Sequence, residues 1–209
     1  MRYIMLLTVL LVSGCSSDFD KTMEKAKKGD ADAQFLVAVE YQYGFNTMAK
    51  DVVEASKWMR KSASQGVPEA QYLFSLSLAN GDGIPKNYSE AIDWLTKAAN
   101  QGNLEHQRTL GKVYAAGEIT PKDHNLASHW LSSAAKQGDA LSQHELAMSL
   151  EQLGDKVNAY SWWLIAHAQG NEDAKNLLEL AESMLDEKRV AEAQALAAKC
   201  YESDYKDCD

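Results

Sequence analysis

The stretch that decides the fold is VPEAQYLFSLSLANGDGIPKNYSEAIDWLTKAANQG, which occupies residues 67–102. Its first half carries the apolar Phe74 and Leu78 beside the small Ser75, a spacing that predicts one apolar face of a helix. The Gly- and Pro-containing segment 81–85 breaks that helix, and a second helical pattern follows it. The stretch therefore predicts two helices joined by a short loop.

The same arrangement recurs along the chain with a period of about 35 residues, which is typical of stacked helical repeats. In each copy an Asp or Asn opens the second helix as its N-cap, an Ala and a Trp face the core, and a glycine permits the positive φ that ends the helix. These markers are Asp51, Asn87, Asp123 and Asp155; Ala55, Ala91, Ala127 and Ala159; Trp58, Trp94, Trp130 and Trp162; and Gln65-Gly66, Gln101-Gly102, Gln137-Gly138 and Gln169-Gly170.

The first helix of each copy has its own pattern. A small or polar residue precedes a glutamine, and an apolar residue then precedes a small one that lets the partner helix approach closely. The glutamines are Gln34, Gln71, Gln107 and Gln143, and the small residues are Ala38, Ser75, Gly111 and Ala147. The loop between the two helices is shortened in the fourth copy, where it reads Leu153-Gly154-Asp155.

On these residues the chain resembles the Sel1-like repeat family, a branch of the tetratricopeptide-type solenoids. The resemblance implies an all-α, α/α solenoid wound as a right-handed superhelix, which serves as an adaptor and specifies no partner. It places four repeats at 30–66, 67–102, 103–138 and 139–170, between a tether with a lone helix at 15–29 and a degenerate capping helix pair at 171–209. Departures from the family pattern are Ile119 at a loop glycine position, an extra residue near 46–49, and the short fourth loop.

Tetratricopeptide relatives bind partners on the concave side, which their first helices line, and this implies a candidate groove. Its chemistry runs from apolar in the first two repeats to basic in the third, so we expect a protein partner with an apolar anchor and an acidic flank. For each residue the alternative is a packed or merely solvated side chain. The candidates are Phe35, Val39, Tyr43, Tyr72, Leu76, Asn80, Arg108, Lys112, His144 and Met148, flanked by Asp32, Glu69, Glu105 and Gln152.

The beginning of the chain predicts export. A basic start precedes an apolar run at 3–12, which at about 15 Å of helix is too short to span a membrane, and Val12-Ser13-Gly14 leads into Cys15. This stretch resembles the bacterial lipobox, which implies a signal peptide at 1–14 and a lipid anchor on Cys15. In Gram-negative lipoproteins the residue after the lipidated cysteine influences sorting, so the same resemblance implies, through Ser16, the periplasmic side of the outer membrane. A plain secretory signal, with the protein in the periplasm, is the alternative.

Charge and the other cysteines narrow the function further. The formal net charge of −9 disfavours nucleic-acid binding and attraction to anionic lipid, so membrane contact is expected only through the anchor. In an oxidising compartment Cys200 and Cys208 are expected to form a disulfide, because a metal site with only two thiols is less common.

No catalytic, metal or cofactor site is expected. The Ser-x-x-Lys spacing of Ser133 and Lys136 is that of penicillin-recognising enzymes, yet no companion motif accompanies it. The histidines form no ligand cluster. Three functional hypotheses follow in order of preference: an envelope scaffold acting through its concave helical surface, a periplasmic immunity protein that neutralises a secreted effector, and a β-lactam-interacting hydrolase.

Overall fold

The computed structural model describes residues 17–45 and 49–208, which contain eleven α-helices and no β-strand. The chain divides into two compact units, Met1–Asn87 and Tyr88–Asp209, so the boundary falls inside the predicted repeat 67–102. Unit 1 contains α1 Ser17–Lys27, α2 Ala31–Tyr43, α3 Val52–Ser64 and α4 Pro68–Asn80. Unit 2 contains α5 Tyr88–Ala99, α6 Leu104–Ala116, α7 His124–Ala135, α8 Ala140–Gln152, α9 Lys156–Ala168, α10 Glu172–Ser183 and α11 Glu187–Glu202. The predicted all-α class is confirmed.

Consecutive helices within each unit form antiparallel pairs, and hydrogen bonds at both ends define them. In unit 1 the Asp51 N–H donates to the Tyr41 carbonyl at 2.8 Å, and at the other end the Ser62 hydroxyl donates to the Ala31 carbonyl at 2.8 Å. The bond that corresponds to the first of these recurs in unit 2, from Asp123 to Tyr114 at 3.0 Å and from Asp155 to Leu150 at 2.9 Å. The shortened fourth loop therefore keeps the same closure between its two helices.

The predicted aspartate N-caps form at three second helices, α3, α7 and α9. The Asp51 carboxylate accepts hydrogen bonds from the N–H groups of Val53 and Glu54, and Asp123 accepts the equivalent pair at the start of α7. Asp155 accepts from the Asn158 N–H at 3.3 Å. These contacts satisfy backbone donors that have no partner inside the helix.

Two glycines allow backbones to approach more closely than a side chain would permit. A Cβ atom on Gly83, whose φ is +70°, would lie 1.9 Å from the Val52 carbonyl oxygen. A Cβ on Gly111 would lie 2.6 Å from Cγ of Leu131, so the small residue predicted on α6 does bring α7 close. The residues equivalent to Gly111 in the other first helices, Ala38, Ser75 and Ala147, are also buried.

Buried glutamines connect successive helix pairs. Each donates from Nε2 to the carbonyl at the end of the preceding second helix, or of α1 for the first repeat. In addition, the glutamine of a Gln-Gly pair donates its side-chain N–H to the Oε1 of the buried glutamine of the same repeat. The first set is Gln34 to Ala26 at 3.1 Å, Gln71 to Ala63 at 3.2 Å, Gln107 to Ala99 at 3.3 Å and Gln143 to Ala135 at 3.3 Å. The second set is Gln65 to Gln34 at 2.8 Å, Gln137 to Gln107 at 2.8 Å and Gln169 to Gln143 at 2.7 Å.

The prediction that all four repeated tryptophans are core residues holds in full only for Trp162, which is 4% exposed. Trp58, Trp94 and Trp130 are partly exposed. The ammonium groups of Lys61 and Lys97 lie 3.8 Å and 4.0 Å above the Trp58 and Trp94 rings. Each of these two rings therefore has a charged group over one face.

The residue three positions after the tryptophan is polar in the first three repeats, as Lys61, Lys97 and Ser133, but in the last repeat it is the buried Ile165. There α11 packs on α9 in addition to the next helix α10, whereas α3 and α7 have the next helix α4 or α8 packed on them. Burial of the repeated tryptophan therefore depends on whether further helices cover its own helix.

The chain end folds back on unit 2. After α11, Asp204 and Tyr205 adopt positive φ angles of 54° and 63°, and the chain reverses. The structure joins Cys200 and Cys208 in a disulfide, with their Cα atoms 4.3 Å apart. The Tyr205 ring lies against Gly138, and both cysteines belong to the core of α7, α8 and α9.

Candidate partner-binding surface

The predicted surface of α2 is mainly apolar. Phe35 and Val39 are partly buried, whereas Tyr43 is 54% exposed. The Tyr43 ring stacks on Phe45, with 5.5 Å between ring centroids. Because stacking restricts the tyrosine, it presents apolar area with little conformational freedom left to lose on binding.

The predicted surface of α4, also in unit 1, repeats this chemistry. Tyr72 and Leu76 are partly buried and Asn80 is exposed. Ser75, on the buried side of the helix, donates its hydroxyl to the Tyr72 carbonyl at 2.6 Å. α4 therefore buries one face and leaves an apolar strip with a polar end partly open.

Sequence reasoning missed three apolar residues of the first-helix faces. Leu36 is 47% exposed, Leu73 is partly exposed, and Leu141 on α8 is 52% exposed. At about 100° of rotation per residue, Leu36 points about 40° from Asp32 and about 20° from Tyr43, at the edge of the same face. The positions that we selected from the tetratricopeptide relatives leave out Leu36 and Leu73, which directly follow Phe35 and Tyr72. A helical projection of the apolar residues would have included them.

In unit 2 the third-repeat surface differs from its prediction because Arg108 is committed to neighbouring carboxylates. Its Nη1 donates to Asp139 Oδ2 at 2.9 Å, and its Nη2 bonds to Glu105. Asp139 also caps α8, where it accepts from the Ser142 N–H at 2.8 Å. Only 17% of the Arg108 side chain is exposed, so Arg108 connects α6 to the start of α8.

The ionisation of this pair follows from its surroundings. Burial lowers the pKa of Arg108, but the hydrogen bond and charge of Asp139, with the charge of Glu105, outweigh it and raise the pKa. Burial raises the pKa of Asp139, yet hydrogen bonds from Ser142 and Arg108 outweigh it and lower the pKa. Both groups are therefore held in their charged forms.

Lys112 is paired as well, since its Nζ lies 3.1 Å from Glu145 Oε1 on α8. The cleft beside these residues on α6 has a volume of about 450 Å³ and also contains Glu118 on its wall. Carboxylates thus offset both basic groups, and the prediction of a basic surface in the third repeat is wrong. The sequence places Glu105 three residues before Arg108 on the same helix, but it could not show Asp139 and Glu145, which reach the basic groups only because α8 packs beside α6.

The last predicted residues lie on α8. Met148 is 39% exposed and, with Leu141, places apolar area on the first-helix face of unit 2. His144 is partly buried, and its Nδ1 has no hydrogen-bond partner among the described residues. The face of α8 is therefore apolar at two positions and holds one ionisable ring.

The two residues considered for catalysis lie at the end of α7. The Ser133 hydroxyl donates to the His129 carbonyl at 3.2 Å within α7, and Lys136 is the C-cap of that helix. Residues 17–45 and 49–208 contain no group of three or more His, Cys, Asp or Glu side chains placed to hold a metal.

The membrane-related predictions fall outside the structural description. The signal peptide at 1–14 and the lipid-anchor residue Cys15 lie outside the described residues. Among the helices that are described, none is both long and apolar enough to cross a membrane.

Comparison with known proteins agrees with this architecture. The Sel1 repeat model matches residues 31–67, 68–103 and 107–139. No curated protein sequence matches the chain significantly.

Solved structures show the same fold. The protein c5321, a protective antigen of uropathogenic Escherichia coli with an SLR fold, is 27% identical over 90% of this chain and 42% of its own, with a TM-score of 0.68. A Sel1 repeat protein from Oxalobacter formigenes is 30% identical over 78% of this chain and 48% of its own, with a TM-score of 0.64. The chain thus spans less than half the length of either relative. An immunity protein from Pseudomonas aeruginosa is 21% identical over 95% of this chain and 87% of its own, but its TM-score of 0.40 is too low to support an argument.

The matched repeats cover just over half of the chain, and the helix pairs described above continue beyond them. Proteins of this repeat type are generally interaction scaffolds without catalytic activity. The chain belongs to the Sel1 repeat family.

Proposed function

We propose that this protein is a non-catalytic adaptor whose primary contact with a protein partner is the apolar first-helix face of unit 1. The observation that carries the proposal is the apolar face of α2, where Leu36 and Tyr43 are 47% and 54% exposed beside the partly buried Phe35 and Val39. Large apolar side chains that are exposed to water have an unfavourable hydration free energy, which is relieved when a binding partner buries them.

The partner's chemistry follows from the two units taken separately. Unit 1 offers apolar side chains and two tyrosines, which favours a partner with apolar anchor residues. In unit 2 Arg108 and Lys112 already pair with carboxylates, so the first-helix face there gives no reason to require an acidic flank. We therefore assign affinity to unit 1 and keep Arg108 as a structural residue.

Affinity capture with substituted proteins tests this assignment. Leu36→Asp and Tyr72→Ala should each weaken capture of the partner by about 1–3 kcal/mol, mainly through faster dissociation. Lys57→Ala, at an exposed position of α3, is the control and should leave capture unchanged. Circular dichroism checks that each variant is folded. Loss of capture in the control, with normal binding by both face variants, would show that the wrong face was chosen.

The identity of the captured protein separates the two biological roles. A resident envelope component supports the scaffold role. A secreted toxic effector, neutralised in a stoichiometric mixture, supports the immunity role instead.

We further propose that the protein is held in the cell envelope by lipid on Cys15, with the folded part on the periplasmic side of the outer membrane. The support is the short apolar run and the Val12-Ser13-Gly14-Cys15 sequence. Several acyl chains on one residue make a stable membrane anchor, whereas a single chain binds a membrane only marginally. Cys15→Ser should abolish incorporation of labelled palmitate and release the protein from membranes. Equal labelling of variant and wild type would refute the anchor.

A further inference from the structure

An apolar strip on α10 lies outside the four predicted repeats, in unit 2. It consists of Leu177, Leu180 and Met184, whose spacing of three and four residues puts them on one side of the helix. Leu180 and Met184 are 59% and 51% exposed, and Leu177 is partly buried. We call these three residues the α10 strip, which is about 10 Å long and therefore covers about two helical turns.

The packing of α10 leaves the strip beside the buried side of the helix. Both α10 and α11 pack on α9 rather than mainly on each other. Ala174 marks the side of α10 that belongs to the unit 2 core, and Leu177 lies about 60° from it around the helix. A second helix laid along the strip would therefore contact α10 next to the place where α10 meets α9.

At its Met184 end the strip adjoins a buried hydrogen-bond donor that is not used. Trp163 of α9 is 3% exposed, and its indole N–H has no hydrogen-bond partner among the described residues. Trp163, Ala181 and Met184 line a cavity of about 10 Å³, which has room for about one water molecule. Glu151 and Lys156 also line it and have opposite charges. Because an unpaired buried donor is unfavourable and a methionine side chain is flexible, a ligand that displaces Met184 can supply the missing acceptor.

The charge of α10 indicates which kind of ligand fits the strip. The helix has a single basic residue, Lys175, and Glu182 accepts a hydrogen bond from the Tyr160 hydroxyl of α9. Asp173 lies one turn before the strip on the same side of the helix. An apolar strip with carboxylates around it attracts basic side chains. The exposed carboxylates are Glu172, Asp173 and Glu179.

The same charge disfavours two other occupants of the strip. Two copies of α10 packed against each other would bring their carboxylates together, and an anionic membrane surface would repel them. A helix with Leu-type side chains on one face and Lys or Arg beside them has neither disadvantage.

We propose that the α10 strip docks a basic amphipathic α-helix of a protein partner. The apolar side chains of that helix cover Leu180 and Met184, and its basic side chains lie beside Asp173 and Glu179. The site is in unit 2 and does not depend on the unit 1 surface of the proposed function, so either can fail without the other.

The probe is an end-blocked peptide of about 16 residues, long enough to form a helix, with Leu on one face and Lys and Ala elsewhere. It is titrated into the purified ¹⁵N-labelled protein, in which Trp163→Phe assigns the indole signal. The peptide should bind saturably and shift the Trp163 signal. A peptide of the same composition in scrambled order, and one with Glu in place of Lys, should each bind at least about tenfold more weakly.

Substitutions in the protein test the apolar and the charged contacts separately. Leu180→Gln should weaken binding of the basic peptide about tenfold, whereas Leu126→Gln, the same change at an exposed position of α7, should alter it less than about twofold. Glu179→Gln should weaken binding about threefold and reduce its salt dependence. Glu118→Gln, an identical charge change at an exposed position after α6, should leave both unchanged.

The alternatives give different results in the same assays. Leu36→Asp in unit 1 should leave peptide binding intact. The proposal is overturned if the basic peptide does not saturate, if the scrambled peptide binds equally well, or if Leu180→Gln and Leu126→Gln bind it alike. It is also overturned if vesicles of anionic phospholipid shift the Trp163 signal and the peptide does not, or if sedimentation shows a dimer that Leu180→Gln dissociates and the peptide does not.

Discussion

Single atoms decide where two backbone segments of unit 1 meet. Gly66 and Gly83 both adopt positive φ, at +96° and +70°, but only Gly83 has backbone atoms directly where a Cβ would be placed. The Val52 carbonyl oxygen would lie 1.9 Å from that Cβ, whereas no atom of the described residues lies within 4 Å of a Cβ placed on Gly66. The two glycines therefore separate the cost of a left-handed backbone from the cost of a steric clash.

Gly83→Ala should lower the free energy of unfolding by about 2–4 kcal/mol, because the loop must move away from the start of α3. Gly66→Ala should lower it by about 1 kcal/mol, since only the backbone preference changes. Urea unfolding followed by circular dichroism measures both. Equal losses in the two variants would mean that the loop moves freely and that the contact with Val52 has no energetic weight.

At the scale of elements, glutamine side chains connect one helix pair to the next. Gln143 is fully buried, donates to the Ala135 carbonyl at 3.3 Å and accepts from Gln169 at 2.7 Å. The Ala135 carbonyl lies in the last turn of α7, where backbone acceptors lack partners within the helix. The Gln143 side chain thus provides a hydrogen-bond donor for the end of α7 and also holds Gln169, which follows α9.

Gln143→Met keeps the size of the side chain but removes both hydrogen bonds, so we expect it to cost about 1–3 kcal/mol of unfolding free energy. Gln194→Met, at an exposed position of α11, is the matched control and should cost less than about 0.5 kcal/mol. Chemical denaturation of the two variants checks this. Similar stabilities would show that water replaces the lost bonds at no cost.

For the molecule as a whole, an acidic chain is stable only if its carboxylates are placed well. In unit 2 Asp139 combines two tasks, capping α8 and pairing with Arg108, and its pKa is lowered as a result. A group whose pKa falls on folding contributes stability above its unfolded pKa, near 3.9, and loses it as pH decreases through the folded pKa. Unit 2 should therefore be sensitive to acid.

Asp139→Asn tests this coupling, because asparagine also caps helices but carries no charge. The wild type should lose unfolding free energy between neutral pH and about pH 3, and the variant should lose less over the same range. Urea unfolding at several pH values gives both curves. Parallel curves would mean that other carboxylates account for the acid sensitivity.

The sequence by itself determined the helix pairs, the caps at Asp51, Asp123 and Asp155, and the family. The period of the Trp and Gln-Gly markers, the aspartates at helix starts and the loop glycines are local signals, and local backbone preferences act in the same way in every repeat. The small Gly111 on α6 was likewise predictable, because a close helix contact needs a small residue wherever it occurs.

Only the tertiary structure decided which side chains remain available for binding. Trp162 is buried and Trp58 is only partly buried, because α11 packs on α9 in addition to the next helix α10. Arg108 is not part of a basic patch, because α8 brings Asp139 to within 2.9 Å of it. Burial and charge pairing depend on groups that are distant along the chain and adjacent only after folding, so a pattern read along a single helix does not contain them.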